Sequence, residues 1–475
     1  MRVAIEGCCH GELSMIYDSL KNQNVELLLI CGDFQSIRNP ADLKCMAVPE
    51  KYKKLGEFTE YYQGIKTAPI LTIFIGGNHE ASNYLLELSN GGYVAPNIYY
   101  LGKNGSIWYK GLKISGMSGI FNEHNFMKPS YETVPFNNSS IRSIYHYRKA
   151  DFLALFLMSE HRHDSIIMTH DWPEGIYEYG NTAELLRRKP FFRKDIQTHT
   201  LGSVPAMVIL QKLKPKKWYS AHLHVKFTAK VVWSNELEAY SVNEKSAVEE
   251  NNPKIAQQKI NADELDIDLC DLSSEDDDQC DAVAVAKPIN GNPDEIELDL
   301  DLSDTEEDKS GTKDQSSSDP NNMGPSTFID KELPPTTTEF VSLDKCLPRR
   351  QFLQIDDIEP TSTTHYSVPH PGEQAEIYLD EELVCIKQIL KYHHRQIQQL
   401  SSPQEVLYLS PDLENELRRD IEAARCKYRE LSPDEKRTMF CVGRDSFCRV
   451  AGHDEQDVVL HTNPHTQRLF EVFGI

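Results

Sequence analysis

The stretch Gly76-Gly77-Asn78-His79-Glu80 decides how this chain is read. It follows an apolar run, Ile70 to Ile75, that reads as a buried strand. Open α/β sheets hold their ligands outside the carboxyl ends of the strands. Paired glycines at such an end let backbone and ligand approach closely. Asn78 offers a neutral oxygen; His79 offers a base, an acid or a ligand. Taken alone, Gly-Asn-His is ordinary turn chemistry, so its neighbours must carry the argument.

Four more apolar runs end in the same kind of residue. Residues 2–6 alternate and lead into Gly7-Cys8-Cys9-His10. Val25 to Cys31 leads into Gly32-Asp33, Ser165 to Thr169 into His170-Asp171, and Trp218 to Ala221 into His222-Leu223-His224. Shorter strands are predicted at Ile98–Leu101, Ile107–Lys110, Leu112–Met117 and Phe227–Trp233. Helices are predicted up to Leu20, over Asp151–His161 and over Ser203–Leu213. Strands alternating with helices predict an α/β sandwich flanked by helices. A single histidine after a strand is ordinarily structural. Metal-capable residues at five strand ends point instead to one crevice. Alternate residues of extended chain face one side, so Cys8 and His10 can share an ion, and His222 and His224 face alike. Asp33, with two oxygens, can bridge two ions. Ions roughly 3.5–4 Å apart stabilise both the attacking and the leaving oxygen of a phosphoryl displacement.

The chain has 475 residues and a formal charge of −23. Residues 261–310 hold 19 Asp or Glu and two Lys, a net of −17 that leaves about −6 on the rest. The acidity is therefore local and does not bar nucleic acid elsewhere. The start, Met1 to Glu6, meets a charge before any signal-peptide core could form. No apolar run approaches the ~20 residues of a membrane span. Eleven cysteines without a compact framework fit reduced thiols. The expectation is a soluble intracellular protein.

Cys8-Cys9-His10, Gly32-Asp33, Gly77-Asn78-His79-Glu80, His170 and Ala221-His222-Leu223-His224 together resemble the calcineurin-like metallophosphoesterases. The pattern spans about 1–235. That family usually carries Asp where Cys8 stands and Gly where Ala221 stands. The cysteine narrows the resemblance to RNA lariat debranching enzymes. So do Glu6 to Leu13, Gly32 to Asn39, Gly77 to Ser82, and Ser342 to Arg349. The resemblance implies that Cys8, His10, Asp33 and His224 hold one divalent ion. It implies a second ion on Asp33, Asn78, His170 and His222, with His79 beside the scissile phosphate. A thiolate is a soft ligand, so up to two ions are expected from Fe²⁺, Zn²⁺ or Mn²⁺ rather than Mg²⁺.

Ser118 to Lys149 interleaves Lys128, Arg142, Arg148 and Lys149 with Phe121, Phe126, Tyr131, Phe136, Tyr145 and Tyr147. Bases stack on aromatic rings and phosphates pair with cations, so the mixture suits single-stranded RNA. The resemblance implies a lariat-recognition loop over 118–149, with Arg142, Tyr145 and Arg148 as candidate substrate contacts. The alternative is a packed loop whose aromatics cover the core.

Residues 240–335 are rich in Asp, Glu, Ser, Asn and Pro and read as a disordered acidic linker. Ser273-Ser274-Glu275-Asp276 and Ser303-Asp304-Thr305-Glu306 within it resemble acid-directed kinase sites. A largely helical C-terminal domain is expected over 338–475. Tyr378–Leu400 and Pro411–Leu431 are its helix candidates, and His393 and His394 read as solvated side chains without partners.

The function so implied is hydrolysis of the 2′–5′ phosphodiester of branched intron lariat RNA, in intron turnover after splicing. Spliceosome-associated factors are candidate partners and a membrane is not. The expected location is the nucleus, with shuttling to the cytoplasm allowed. Two alternatives stay open: another metal-dependent phosphodiesterase or nuclease, and a non-catalytic scaffold on the same fold.

Overall fold

In the computed structural model the described residues are 1–159, 165–233 and 336–475. The acidic stretch 240–335 and its two kinase-like motifs lie outside them. In chain order the strands are β1 (Arg2–Glu6), β2 (Leu27–Ile30), β3 (Leu71–Phe74), β4 (Gly92–Ala95), β5 (Ile98–Tyr100), β6 (Asn104–Tyr109) and β7 (Leu112–Met117). There follow β8 (Ser165–Thr169), β9 (Lys217–Ser220), β10 (Phe227–Trp233), β11 (Thr336–Ser342), β12 (Leu353–Asp357), β13 (Ile377–Leu379) and β14 (Cys441–Val442).

Two sheets form. One runs β12-β1-β2-β3-β5-β4; the other runs β10-β11-β9-β8-β7-β6-β13-β14. Each has a parallel heart, β1-β2-β3-β5 in the first and β7-β8-β9-β11 in the second. Parallel strands are covered on both faces, which is why β2 reads Leu-Leu-Leu-Ile and all four side chains are buried. The sheets pack closely: a Cβ on Gly116 of β7 would come within 3.1 Å of Ile75 beyond β3. The prediction of an α/β sandwich therefore describes this fold.

The residues after 335 complete both sheets. β11 lies between β10 and β9, with Phe340 opposite Trp218. β12 covers the free edge of β1 in antiparallel register, Ile5 opposite Gln354. The described residues before 234 and after 335 accordingly belong to one compact unit. The β-branched run Thr336–Thr338 favours the strand that docks here.

The helix predicted over Tyr378–Leu400 is divided. Ile377–Leu379 pairs with β6 as a strand, and helices follow at Glu381–Tyr392 and His394–Gln399. Asp380 sets the break. Its carboxylate accepts from the Glu382 N–H at 3.2 Å and from the Ser106 hydroxyl at 2.7 Å, and pairs with Lys113 at 2.9 Å. An N-cap tethered to β6 and β7 starts the helix at that point. His393 is a second correction: it is buried, and its Nε2 lies 2.9 Å from the Asp420 carboxylate. The helix predicted over Asp151–His161 is seen at Lys149–Phe156, and its last two predicted residues are not described. Pro411–Arg429 and Val204–Leu213 form as helices, each with a serine N-cap. Among the described residues no helix is long and apolar enough to cross a membrane.

Candidate metal centre

The carboxyl ends of β1, β2, β3, β8 and β9 meet in one crevice. The loops that follow are laced by backbone bonds. His10 N–H donates to the Asp33 carbonyl at 2.7 Å, Cys31 N–H to Glu6 at 3.0 Å, and Ala221 N–H to His170 at 3.1 Å. Tight reversal puts four site residues in the left-handed region: His10 at φ 47°, Asp33 at 47°, His222 at 62° and His224 at 47°. Such backbone costs on the order of 1–3 kcal/mol per residue and persists where the surroundings over-determine it. Two glycines make the approach possible. A Cβ on Gly32 would meet His170 Nδ1 at 2.1 Å, and one on Gly77 would meet Asp33 Oδ1 at 2.1 Å.

Ligand atoms of Cys8, His10, Asp33 and His224 all lie within 4.8 Å of one another. His10 Nε2 is 3.5 Å from His224 Nε2 and 3.7 Å from Asp33 Oδ2. The second set gathers on the other side of the same carboxylate. His170 Nε2 lies 3.5 Å from Asp33 Oδ1 and 3.1 Å from Asn78 Oδ1, and the His222 ring is centred 5.0 Å from that of His170. His222 also donates its backbone N–H to Cys8 Sγ at 3.2 Å. Asp33 thus turns one oxygen toward each donor set.

The protonation states suit cation binding. Burial drives His10 down to about 3, and burial likewise lowers His170 and His222, so the imidazoles are neutral at pH 7. His170 Nδ1 sits 2.7 Å from the Cys31 carbonyl, which can only accept; Nδ1 therefore carries the proton and Nε2 offers its lone pair. Burial would raise the Asp33 carboxyl, but the polar groups of His170, His79 and His10 around it, with His79 hydrogen-bonded to it, outweigh this and hold it well below the usual carboxylate range. Burial raises the Cys8 thiol, with Asp33 and Glu6 acting the same way. A neighbouring cation inverts that balance and favours the thiolate. One carboxylate, one thiol and neutral imidazoles, converging in a buried crevice, fit divalent ions of the Fe or Zn kind.

Glu80 and Asp171, given no role from the sequence, organise the rim. Glu80 accepts from the N–H groups of Phe34 at 2.8 Å, Gln35 at 2.9 Å and Gly77 at 3.1 Å. It so locks the loop after β2 to the loop after β3. Burial, with Asp33 adding to it, pushes its carboxyl up to about 8. Asp171 accepts from Phe121 N–H at 3.2 Å and anchors the start of the 118–149 loop. The signal for both was position, directly after Asn78-His79 and directly after His170.

His79 stands at the crevice with its backbone N–H on Asp33 Oδ1 at 2.8 Å and its Nδ1 3.4 Å from Asp33 Oδ2. The three loop candidates part ways. Tyr145 is half-buried and lines a small crevice with Gly76, Gly77 and Glu80, beside the donor sets. Arg142 is exposed on the short helix Ser140–Ser143. Arg148 is buried: it pairs with Glu132 and donates to the carbonyls of Asn125 and Ser143, each at 3.0 Å. Its side chain holds the loop together.

Residues 1–226 match the calcineurin-like phosphoesterase family. Residues 335–475 match the C-terminal domain of lariat debranching enzymes. The chain is similar to the lariat debranching enzyme of Danio rerio, 56% identical over 235 residues, which are 48% of this chain and 41% of that one. It is 54% identical to the Homo sapiens enzyme over 235 residues, 48% of this chain and 43% of that one. With the Arabidopsis thaliana enzyme it shares 48% over 242 residues, 50% of this chain and 57% of that one. The matched span is thus less than two thirds of each relative.

Proposed function

We propose that this chain, whose residues 1–226 match the calcineurin-like phosphoesterase family and whose residues 335–475 match the C-terminal domain of lariat debranching enzymes, hydrolyses the 2′–5′ phosphodiester at the branch of RNA lariats. The carrying observation is Asp33, one carboxylate whose two oxygens face two separate donor sets. When bound, two divalent ions supply the positive charge that stabilises the attacking and leaving oxygens of an in-line displacement. Cys8, His10, Asp33 and His224 hold the first, and Asp33, Asn78, His170 and His222 the second. Fe²⁺, Zn²⁺ and Mn²⁺ are the proposed ions, the thiol of Cys8 favouring the softer pair.

The chain's own groups orient and transfer protons. His170 keeps its tautomer through Cys31. Glu80 fixes the two loops that carry Asp33 and His79, so the relative placement of phosphate and proton donor is set before substrate arrives. His79 stands in the crevice with its Nδ1 3.4 Å from Asp33 Oδ2, beside both donor sets. We assign it the proton that the departing 2′-oxygen of the branch adenosine requires. Tyr145 offers a ring beside the crevice on which a branch nucleotide can stack. Branched intron RNA is the proposed substrate and the nucleus the proposed site of action, alongside spliceosome-associated factors.

Replacing His79 with Ala tests the assignment. Cleavage of branched RNA should slow by about 10²–10⁴-fold, the usual worth of general acid catalysis, while bound metal stays at the wild-type level. Wild-type rates in that variant would remove His79 from the chemistry.

A further inference from the structure

A second cavity, of about 590 Å³, lies between the 118–149 loop and the helices Glu381–Tyr392 and His394–Gln399. Lys128, Lys149, Lys387 and Lys391 line it, with Leu390 and Ile397 as apolar wall. These lysines are bonded to neutral groups. Lys149 Nζ donates to the Leu400 carbonyl at 2.9 Å, and Lys391 Nζ to the Gly474 carbonyl at 2.8 Å. Lys387 Nζ donates to the Asn104 carbonyl at 2.8 Å and to the Asn90 side chain at 3.0 Å. Lys128 lies against His124. Among the described residues none of the four forms an ion pair with a carboxylate. Buried Lys113 is the contrast, with Asp380 at 2.9 Å and Glu382 at 3.3 Å.

The one acidic side chain on the wall, Asp151, already accepts from the Asn104 side chain at 2.9 Å and from Arg148 N–H at 2.8 Å, and the terminal carboxylate belongs to Ile475, which also lines the cavity. The four lysines still outnumber these two carboxylates. Burial lowers the Lys387 ammonium to about 8, and Asp151 offsets this only in part. Each ammonium carries three donors and keeps some for a ligand. The size falls within the ~300–1,000 Å³ range of ligand sites. Asp151 also lines the small crevice beside Gly76, Gly77 and Glu80, so the two spaces share a wall.

We propose that this cavity is a second phosphate-binding subsite, which holds nucleotides of an RNA arm extending away from the branch at the metal centre. The inference rests on the RNA reading above. The shared wall at Asp151 sets the cavity next to the crevice, which favours a strand of the same substrate over an unrelated small anion. The lysines take its phosphates, and Leu390 and Ile397 face its sugars or bases.

The test compares two branched RNAs, one a bare trimer and one with long arms. Their binding to the full chain is followed by fluorescence anisotropy in chelator, which prevents cleavage. The double variant Lys387→Gln, Lys391→Gln should lose about 5–10-fold in affinity for the long-armed RNA and flatten its salt dependence by roughly 0.7 per lost phosphate contact. Its affinity for the trimer should match wild type. Exposed Lys391→Glu provides the same reading without disturbing packed Lys387. Equal losses on both RNAs, or none on either, overturn the proposal. So does a variant that loses competition by inorganic pyrophosphate yet binds long arms normally, since the cavity would then serve small anions. Absence of 2′–5′ cleavage by metal-loaded wild type would sink the debranching reading alone, and the arm-length comparison would still stand.

Discussion

The metal crevice and the 118–149 loop lie side by side and are built on opposite rules. In the crevice, side chains from five strand ends face one another across a few ångströms, and strained backbone at His10, Asp33, His222 and His224 keeps them there. In the loop, Phe126, Tyr147 and Arg148 turn inward. Phe126 packs edge-on to Phe121 and Tyr147, with centroids 5.6 and 6.3 Å away, and Arg148 closes on Glu132. Of the three candidate contacts, Tyr145 at the crevice and Arg142 on the surface are the two that do not turn inward. Strand topology dictates where a crevice residue points. A loop residue's role depends on a direction that composition does not encode.

The strongest way to break this contrast is at Asp33. Asp33→Ala removes the oxygen facing each donor set, and both ions should be lost together. Activity should fall by more than the ~10–100-fold that outer-shell changes cost. Elemental analysis of reduced protein checks the first effect. Retention of two ions would show that the crevice is not organised around this carboxylate.

Arg148→Ala tests the loop side. It leaves the Glu132 carboxylate without its cation in a buried setting, and should destabilise by about 3–5 kcal/mol in urea unfolding. A protein of unchanged stability with a raised KM would instead make Arg148 an RNA contact. A smaller effect is expected from Tyr145→Ala, about 1–3 kcal/mol of lost base stacking, read as weaker binding of branched RNA at unchanged metal content. Smallest is Arg142→Ala, which should flatten the salt dependence of binding by roughly 0.7, the share of one phosphate on a single strand. A Tyr145 variant that binds normally would leave the loop with packing as its main role.

Much of the crevice was legible because two simple periodicities placed it. Apolar runs marked the strands, and open α/β topology gathers their carboxyl ends on one side. That reasoning located Cys8, Asp33, His170 and His224 without coordinates. It also offered Asp33, with its two oxygens, as a bridge between two ions; what it did not show is the set of left-handed turns that aims those oxygens. Nor did it assign Glu80, which ties Gly77 of its own loop to Phe34 and Gln35 of the loop after β2. The strands β11 and β12 were hidden for another reason. Phe340 and Leu353 are apolar enough to dock on a core, but insertion between β10 and β9 is a non-local pairing that no local pattern reports. His393 looked solvated because its partner, Asp420, sits on another helix.

The central claim is bond selectivity at a branch. A synthetic RNA carrying one 2′–5′ and one 3′–5′ linkage on the same adenosine, incubated anaerobically with reduced protein and Fe²⁺, Zn²⁺ or Mn²⁺, tests it directly. The 2′–5′ bond alone should be broken, leaving an intact 3′–5′ strand. Cleavage of both bonds, or of neither by folded and metal-loaded protein, would contradict it.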